Sequence, residues 1–379
     1  MTGHACYASE VSPADAHRAY RSIRFFSNLD GLRFICISMV LWHHAPPIDI
    51  PWLKLEDRGF LGVDFFFVLS GFLITTLLLR EAVRDGSFSL RDFYIRRAVR
   101  IIPVYFFVIS CVAAYYIVLK GERQYIDILP YYYLFLSNFI VDDIPTLSPT
   151  WSLAVEEQYY LIWPLLLMLL PPRWIVPILC VLIAGNVLIM IPGFPGPNPI
   201  PAGPLLLKMP NSTYAPILMG SLLAVFLHDK AVFEKLWAVT SHWFAPVLGV
   251  AALIVAMELL PHDLRGVPNF VVHTLMTFVL ATLVVRERNL FTPLLTQTLV
   301  TRVGVISYGI YLYHLLALDI TNRALAAIGV FGPWVLLFGY TAVSCVLADI
   351  SFRTLEAYFR RFRPRPRATP DPTRSTRGT

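Results

Sequence analysis

The chain has 379 residues, 56% of them hydrophobic, 14% aromatic and only 15% charged. So little polar surface excludes an ordinary soluble domain and indicates an all-α, polytopic membrane protein. The net charge of +6 would suit a nucleic-acid partner, but the basic residues gather on one side of a bilayer once the chain is threaded, so no nucleic acid is expected.

Residues 1–28 are polar, carry Arg18, Arg21 and Arg24, and read as a cytoplasmic tail rather than a cleaved leader. Residues 29–355 read as one transmembrane domain. Judged against the roughly 20 residues a bilayer needs, apolar runs fall at about 29–48, 59–79, 101–119, 151–170, 174–192, 213–228, 241–260, 267–285, 303–320 and 329–351. These predict about ten transmembrane helices. The run LPYYYLFLSNFIV, 129–141, is short and reads as either an eleventh span or a re-entrant segment.

Ten crossings with the amino end inside place the Arg-rich loop 80–100, Arg173, Lys230, Lys235, Arg286, Arg288, Arg302 and FRRFRPRPR on the cytoplasmic face. An eleventh would invert every later loop. Both termini are therefore expected in the cytoplasm, in a multi-pass protein of the inner (plasma) membrane. The segment IPGFPGPNPIPAGP, 191–204, reads as an ordered outer loop, and 356–379 as a basic, disordered cytoplasmic tail. Of the five cysteines, Cys36, Cys111, Cys180 and Cys345 fall in apolar segments and Cys6 in the tail; neither disulfide nor metal is expected.

Polar residues inside these runs define the candidate site. In RFICISMVLWHH, Arg33 and His44 lie roughly 20° apart on a helical wheel and about 16 Å apart along the axis, whereas His43 points roughly 80° away. They mark two depths of one groove. Asp64, Glu156, Glu157 and His314 fall in the middle or outer part of their own runs, near the expected depth of His44. Charges in hydrocarbon cost several kcal/mol unless paired or hydrated, so a shared polar cavity is expected there.

Glu156 shares a stripe with Ser152, Tyr159 and Tyr160 and is preferred to Glu157. At the inner depth Arg97 and Arg100 stand one turn apart near the level of Arg33. Anchoring at the membrane surface explains most such arginines, but paired guanidinium groups also suit the phosphates of a cofactor entering from the cytoplasm.

LDGLRFICISMVLWHH, GVDFFFVLSGFLIT, FYIRRAVRIIPVY, TWSLAVEEQYYLIWP and ISYGIYLYHL, in that order, resemble the acyltransferase-3 family of integral membrane O-acyltransferases, over about residues 27–355. The resemblance implies that Arg33 and His44 form the family's essential pair, that Arg97 and Arg100 form its arginine motif, and that Glu156 is its acid. No soluble esterase-like domain accompanies these blocks, so acceptor binding is expected in the membrane domain and its outer loops.

The expected reaction moves an acyl group, acetyl first among candidates, from cytoplasmic acyl-CoA to a hydroxyl at the outer half of the membrane. The acceptor classes are carbohydrate, lipid-linked glycan and small molecule, with membrane lipid as surroundings. Arg33, Arg97 and Arg100 would bind the CoA phosphates. His44 would act as general base, with Glu156 or Asp64 orienting its ring, and His314 would assist the acceptor or the oxyanion. Direct transfer and an acyl-histidine intermediate both fit. The alternative, a secondary transporter of a small anionic or sugar-like solute, predicts internal repeats and paired broken helices, and no repeat is visible. A membrane glycosyltransferase would need more acid than Asp142 and Asp143, and a mere scaffold would not need a histidine and carboxylates at one depth.

Overall fold

The structure, a computed structural model, describes residues 12–364 apart from 24, 49, 51, 142, 195–199, 204 and 208–213. Cys6, Asp142 and the tail beyond 364 therefore lie outside the described residues, as does part of the loop 191–204.

In chain order the helices are α1 (Pro13–Ser22), α2 (Ser27–His44), α3 (Lys54–Asp57), α4 (Leu61–Asp85), α5 (Leu90–Ala113), α6 (Leu129–Tyr133), α7 (Thr150–Leu169), α8 (Pro172–Ile189) and α9 (Ala215–His228). They continue as α10 (Lys230–Thr240), α11 (Ala245–Leu259), α12 (Val267–Val285), α13 (Thr292–Leu295), α14 (Thr298–Val305), α15 (Ser307–Ala327), α16 (Pro333–Arg353) and α17 (Leu355–Arg360). Among the described residues, one antiparallel hairpin, β1 (Ile200–Ala202) with β2 (Leu205–Leu207), interrupts the helices.

Each predicted apolar run coincides with a helix: α2, α4, α5, α7, α8, α9, α11, α12, α15 or α16. Among the described residues, five helical stretches are long and apolar enough to cross a membrane, and eight if each of three bent pairs counts as one span. The protein is thus a multi-pass, helical membrane protein. The helices that fall short include α2 and α7, and these carry Asp30, Arg33 and His44 and the adjacent Glu156 and Glu157. Polar side chains that serve a site lower the very hydropathy that identifies a span.

The bends have local causes. Asp229 caps α10, its Oδ1 accepting from Val232 N at 2.9 Å, and α10 turns 107° away from α9. α14 turns 74° from α15 at Ile306. There α14 lies hard against α2, since a Cβ on Gly304 would stand 1.8 Å from the carbonyl oxygen of Asp30. α4 and α9 pack as closely: a Cβ on Gly71 would meet Ile217 O at 1.9 Å, and one on Gly220 would meet Val68 O at 2.0 Å. Small residues let backbones approach where lipid supplies no hydrophobic drive.

The run 129–141 does not form a spanning helix. It makes one turn as α6, reverses at Phe135 (φ 55°), and ends in a 3-10 turn at Ser137–Phe139. Gln158 on α7 supports the reversal, its Nε2 donating to Phe135 O at 2.8 Å and to Asn138 Oδ1 at 2.9 Å. Such irregular backbone is tolerated because protein groups satisfy it.

α1, α10 and α17 lie at one end of the bundle with the α4–α5 turn. His17 Nε2 faces His228 O at 3.3 Å, and Arg80 Nη2 donates to Tyr20 O at 2.7 Å. This is the basic end.

Candidate active site

A cavity of about 280 Å³ lies between α2, α4, α5, α7 and α15. Its α4 wall is a helical stripe containing Val63, Phe66, Ser70, Leu73, Leu77 and Arg80. These recur every three or four residues, as one face of a helix must. Seventeen residues separate its ends, so the stripe spans about 25 Å of axis. The cavity therefore runs from the basic end along most of α4, and its lining reaches Val63, Ser152 and Tyr311.

Charge distinguishes this space. Its lining includes four guanidinium groups, Arg33, Arg80, Arg97 and Arg100, against two carboxylates, Asp30 and Glu156. Such an excess of cation in a partly apolar hollow favours an anionic ligand. Arg33 pairs with Asp30, one turn before it, at 2.6 Å. Arg97 lies over the rings of Phe93 and Tyr160, 5.8 and 5.2 Å from their centroids. Arg80 is more tightly held, donating to Tyr20 O and Ile23 O while stacking 5.1 Å from the ring centroids of both Tyr20 and Phe26. Phe25, Phe26 and Phe66, with Tyr160, Tyr308 and Tyr311, supply flat apolar wall.

Glu156 belongs to this cavity, and its Oε1 accepts from Ser70 Oγ at 2.5 Å. Ser152 and Tyr160 line the cavity with it, whereas Glu157 is not among the lining residues. Tyr159 turns to α9, its hydroxyl 2.5 Å from Ser221 Oγ.

His44 and His314 form a separate pair, with ring centroids 4.7 Å apart and planes at 74°. His44 Nδ1 lies 2.9 Å from Val40 O, and His314 Nδ1 lies 2.5 Å from Tyr311 O. A carbonyl can only accept, so both neutral rings carry their proton on Nδ1 and keep a basic Nε2. His314 Nε2 is buried without a partner among the described residues. His43 is exposed, with its ring 5.7 Å from that of Phe60.

Asp64 occupies a third place. It is 7% exposed, and its Oδ2 meets Nε2 of His273, itself 1% exposed on α12, at 3.0 Å.

The structure thus brings Arg33, Arg97, Arg100 and Glu156 together, joins His44 to His314, and holds Asp64 apart. The expected single polar cavity at the depth of His44 is resolved into three clusters. No carboxylate orients His44 among the described residues, because Asp64 is taken by His273 and Glu156 by Ser70. Tyr311 links the first two clusters, lining the cavity while its ring centroid stands 5.4 Å from that of His314. Its hydroxyl is anchored by Ser152 Oγ at 2.7 Å and donates to Pro149 O at 3.0 Å.

Sequence reasoning missed Arg80 and Asp30 as cavity residues and His273 altogether. Arg80 was legible as the end of the α4 stripe. His273 was visible as a histidine within an apolar run, which is a functional candidate by default. No group of three or more His, Cys, Asp or Glu able to hold a metal occurs among the described residues.

Comparison with known proteins supplies the family. The O-acetyltransferase OatA of Staphylococcus aureus (strain NCTC 8325 / PS 47) is 28% identical over 368 residues, covering 90% of this chain and 58% of the relative. The peptidoglycan O-acetyltransferase OatA of Listeria monocytogenes is 27% identical over 369 residues, covering 90% of this chain and 56% of its own. The chain thus spans a little over half the length of these curated relatives. No solved structure matches. The acyltransferase domain of the acyltransferase-3 family matches residues 26–353, nearly the whole helical bundle that encloses the cavity and both histidines, and the chain belongs to that family.

Proposed function

We propose that this protein is a membrane O-acyltransferase that takes an acetyl or similar acyl group from acyl-CoA on the cytoplasmic side and passes it to a hydroxyl at the outer half of the membrane. The observation that carries this reading is the cavity itself, where four guanidinium groups outnumber two carboxylates beside aromatic walls. Phosphates of a nucleotide donor would meet Arg33, Arg80, Arg97 and Arg100, and the slender acyl-bearing arm would follow the α4 stripe toward Tyr311. In this reading ten helices cross the membrane, both termini lie in the cytoplasm, and the basic end faces the negative leaflet.

His44 is the base for the acceptor. Its Nδ1–H is held by Val40 O, which leaves Nε2 free to accept the acceptor's proton. His314, with the same tautomer, accepts a hydrogen bond from the acceptor and cannot donate to an oxyanion while neutral. Peptidoglycan is the substrate named for the Listeria relative, so an N-acetylated glycan hydroxyl is the first acceptor to try.

Membranes containing the protein should release free CoA thiol from acetyl-CoA when a glycan acceptor is supplied. Replacing Arg33 by Ala should weaken donor binding more than acceptor binding. The opposite pattern, or unaltered release in Arg33→Ala, would refute the donor pocket.

A further inference from the structure

Three arginines meet at the basic end in a place the arginine-rich cavity does not use. An open groove of about 590 Å³ is lined by Arg302 of α14, Phe352 and Arg353 of α16, and Ala357 and Arg360 of α17, none of which lines the cavity. Cations that serve only as anchors spread toward water; these converge on one ring. The guanidinium carbons of Arg302 and Arg360 stand 4.8 and 3.9 Å from the centroid of Phe352. Arg360 is held there by the backbone, donating to Phe352 O at 2.6 Å and to Glu356 O at 3.3 Å. Asp349 takes both Arg302 and Arg353, the latter at 2.5 Å, and no carboxylate among the described residues forms an ion pair with Arg360. Glu356 feels Arg360 only at a distance, along with Arg100 and Arg363. Three cations thus share one paired acid, a surplus that an anion between them would relieve.

The neighbourhood selects the anion. α16 belongs to a helical stretch long and apolar enough to cross a membrane, and Val335, Phe338, Ala342, Val346, Ile350 and Arg353 recur along it every three or four residues, all of them exposed. From Val335 to Arg353 such a helix rises about 27 Å, close to the roughly 30 Å of a bilayer's hydrocarbon. An apolar, lipid-facing stripe therefore ends at the groove, which puts the three arginines at headgroup depth. A soluble phosphate would use the arginines and ignore the stripe. A phospholipid would use both.

We propose that this groove binds one anionic phospholipid of the leaflet at the basic end, its phosphodiester between Arg302, Arg353 and Arg360 and its acyl chains along Ile350 and Val346. Guanidinium groups match phosphate oxygens with paired donors. The lipid ties α14, α16 and α17 together where they meet. α17 packs on α5, whose Arg97 and Arg100 line the cavity, so a lipid in the groove braces the wall on which those arginines stand.

The test titrates the purified full chain in neutral detergent with phosphatidylglycerol or with phosphatidylcholine and counts bound lipid by native mass spectrometry. The parent should retain one phosphatidylglycerol in preference to phosphatidylcholine. That preference should fall about fivefold in R353Q and further in R302Q/R360Q, while R361Q, on α17 but outside the groove, should stay within about twofold of the parent. An excess of inorganic phosphate, or of a CoA thioether, should not displace the lipid. A parent without preference for the anionic lipid, or either groove variant keeping the preference in full, would overturn the proposal. Displacement by inorganic phosphate or by the thioether would overturn it as well, making the groove a site for soluble anions. The Arg353 side chain is 70% exposed, so R353Q decides the matter alone should R302Q/R360Q fail to fold.

Discussion

Arg33 and His44 share one helix, yet the bundle treats them in opposite ways. Arg33 opens into a hollow with three more guanidinium groups and only two carboxylates, Asp30 and Glu156, an excess of positive charge fit for a large anion. About three turns further on along the helix, His44 and His314 face each other at 4.7 Å with every Nδ1 tied to a carbonyl, and Asp64 is sealed against His273. One region is built to admit a charged molecule and the other to hold protons in fixed places. The proposed transfer would need both, since the donor would be attracted without dragging its charge to the far side.

The sharpest test of that division is His44→Ala. Loss of a general base costs about 10²–10⁴ in rate, so acceptor acylation should fall roughly a thousandfold while binding of a CoA thioether is unchanged; a parallel loss of binding would erase the distinction between the two regions. Next is Gly71→Val, which forces side-chain atoms against the carbonyl of Ile217. Overpacking of this kind costs about 1–3 kcal/mol or more, and thermal unfolding in detergent should move down accordingly, with both functions lost together. Arg97→Ala should weaken donor binding about tenfold, equivalent to about 1.4 kcal/mol, and Arg97→Lys should restore little because an ammonium lacks the planar fork. Smallest in its effect on the reaction is Asp64→Asn: if the pair with His273 is a structural tie, stability falls by about 1–3 kcal/mol and donor affinity stays put. An acylation defect without a stability change would move Asp64 into the proton-handling region.

Much of this could be read from the residues. The ten apolar runs all became helices because long hydrophobic stretches leave the backbone no alternative in lipid. The arginine cluster was equally plain, since Arg33, Arg97 and Arg100 are set by depth alone, and depth follows from counting along each run. Partnership was less legible. Wheel and depth put Asp64, Glu156, His44 and His314 at one level, but whether two side chains at one level meet depends on which helices are neighbours. The contact of α4 with α12 is what gives Asp64 to His273, and that of α4 with α7 gives Glu156 to Ser70. The reversal at Phe135 was likewise hidden, because its support comes from Gln158 on another helix.

The crossing of α4 and α9 at Gly71 and Gly220 has a consequence for motion. Ser70 is the immediate neighbour of a position where two main chains touch with no slack on either side. That flank of the hollow is consequently a fixed anvil. The junction of α14 with α15 is equally tight, Gly304 lying against Asp30, so any widening of the hollow falls to side chains such as Tyr311 rather than to these main chains.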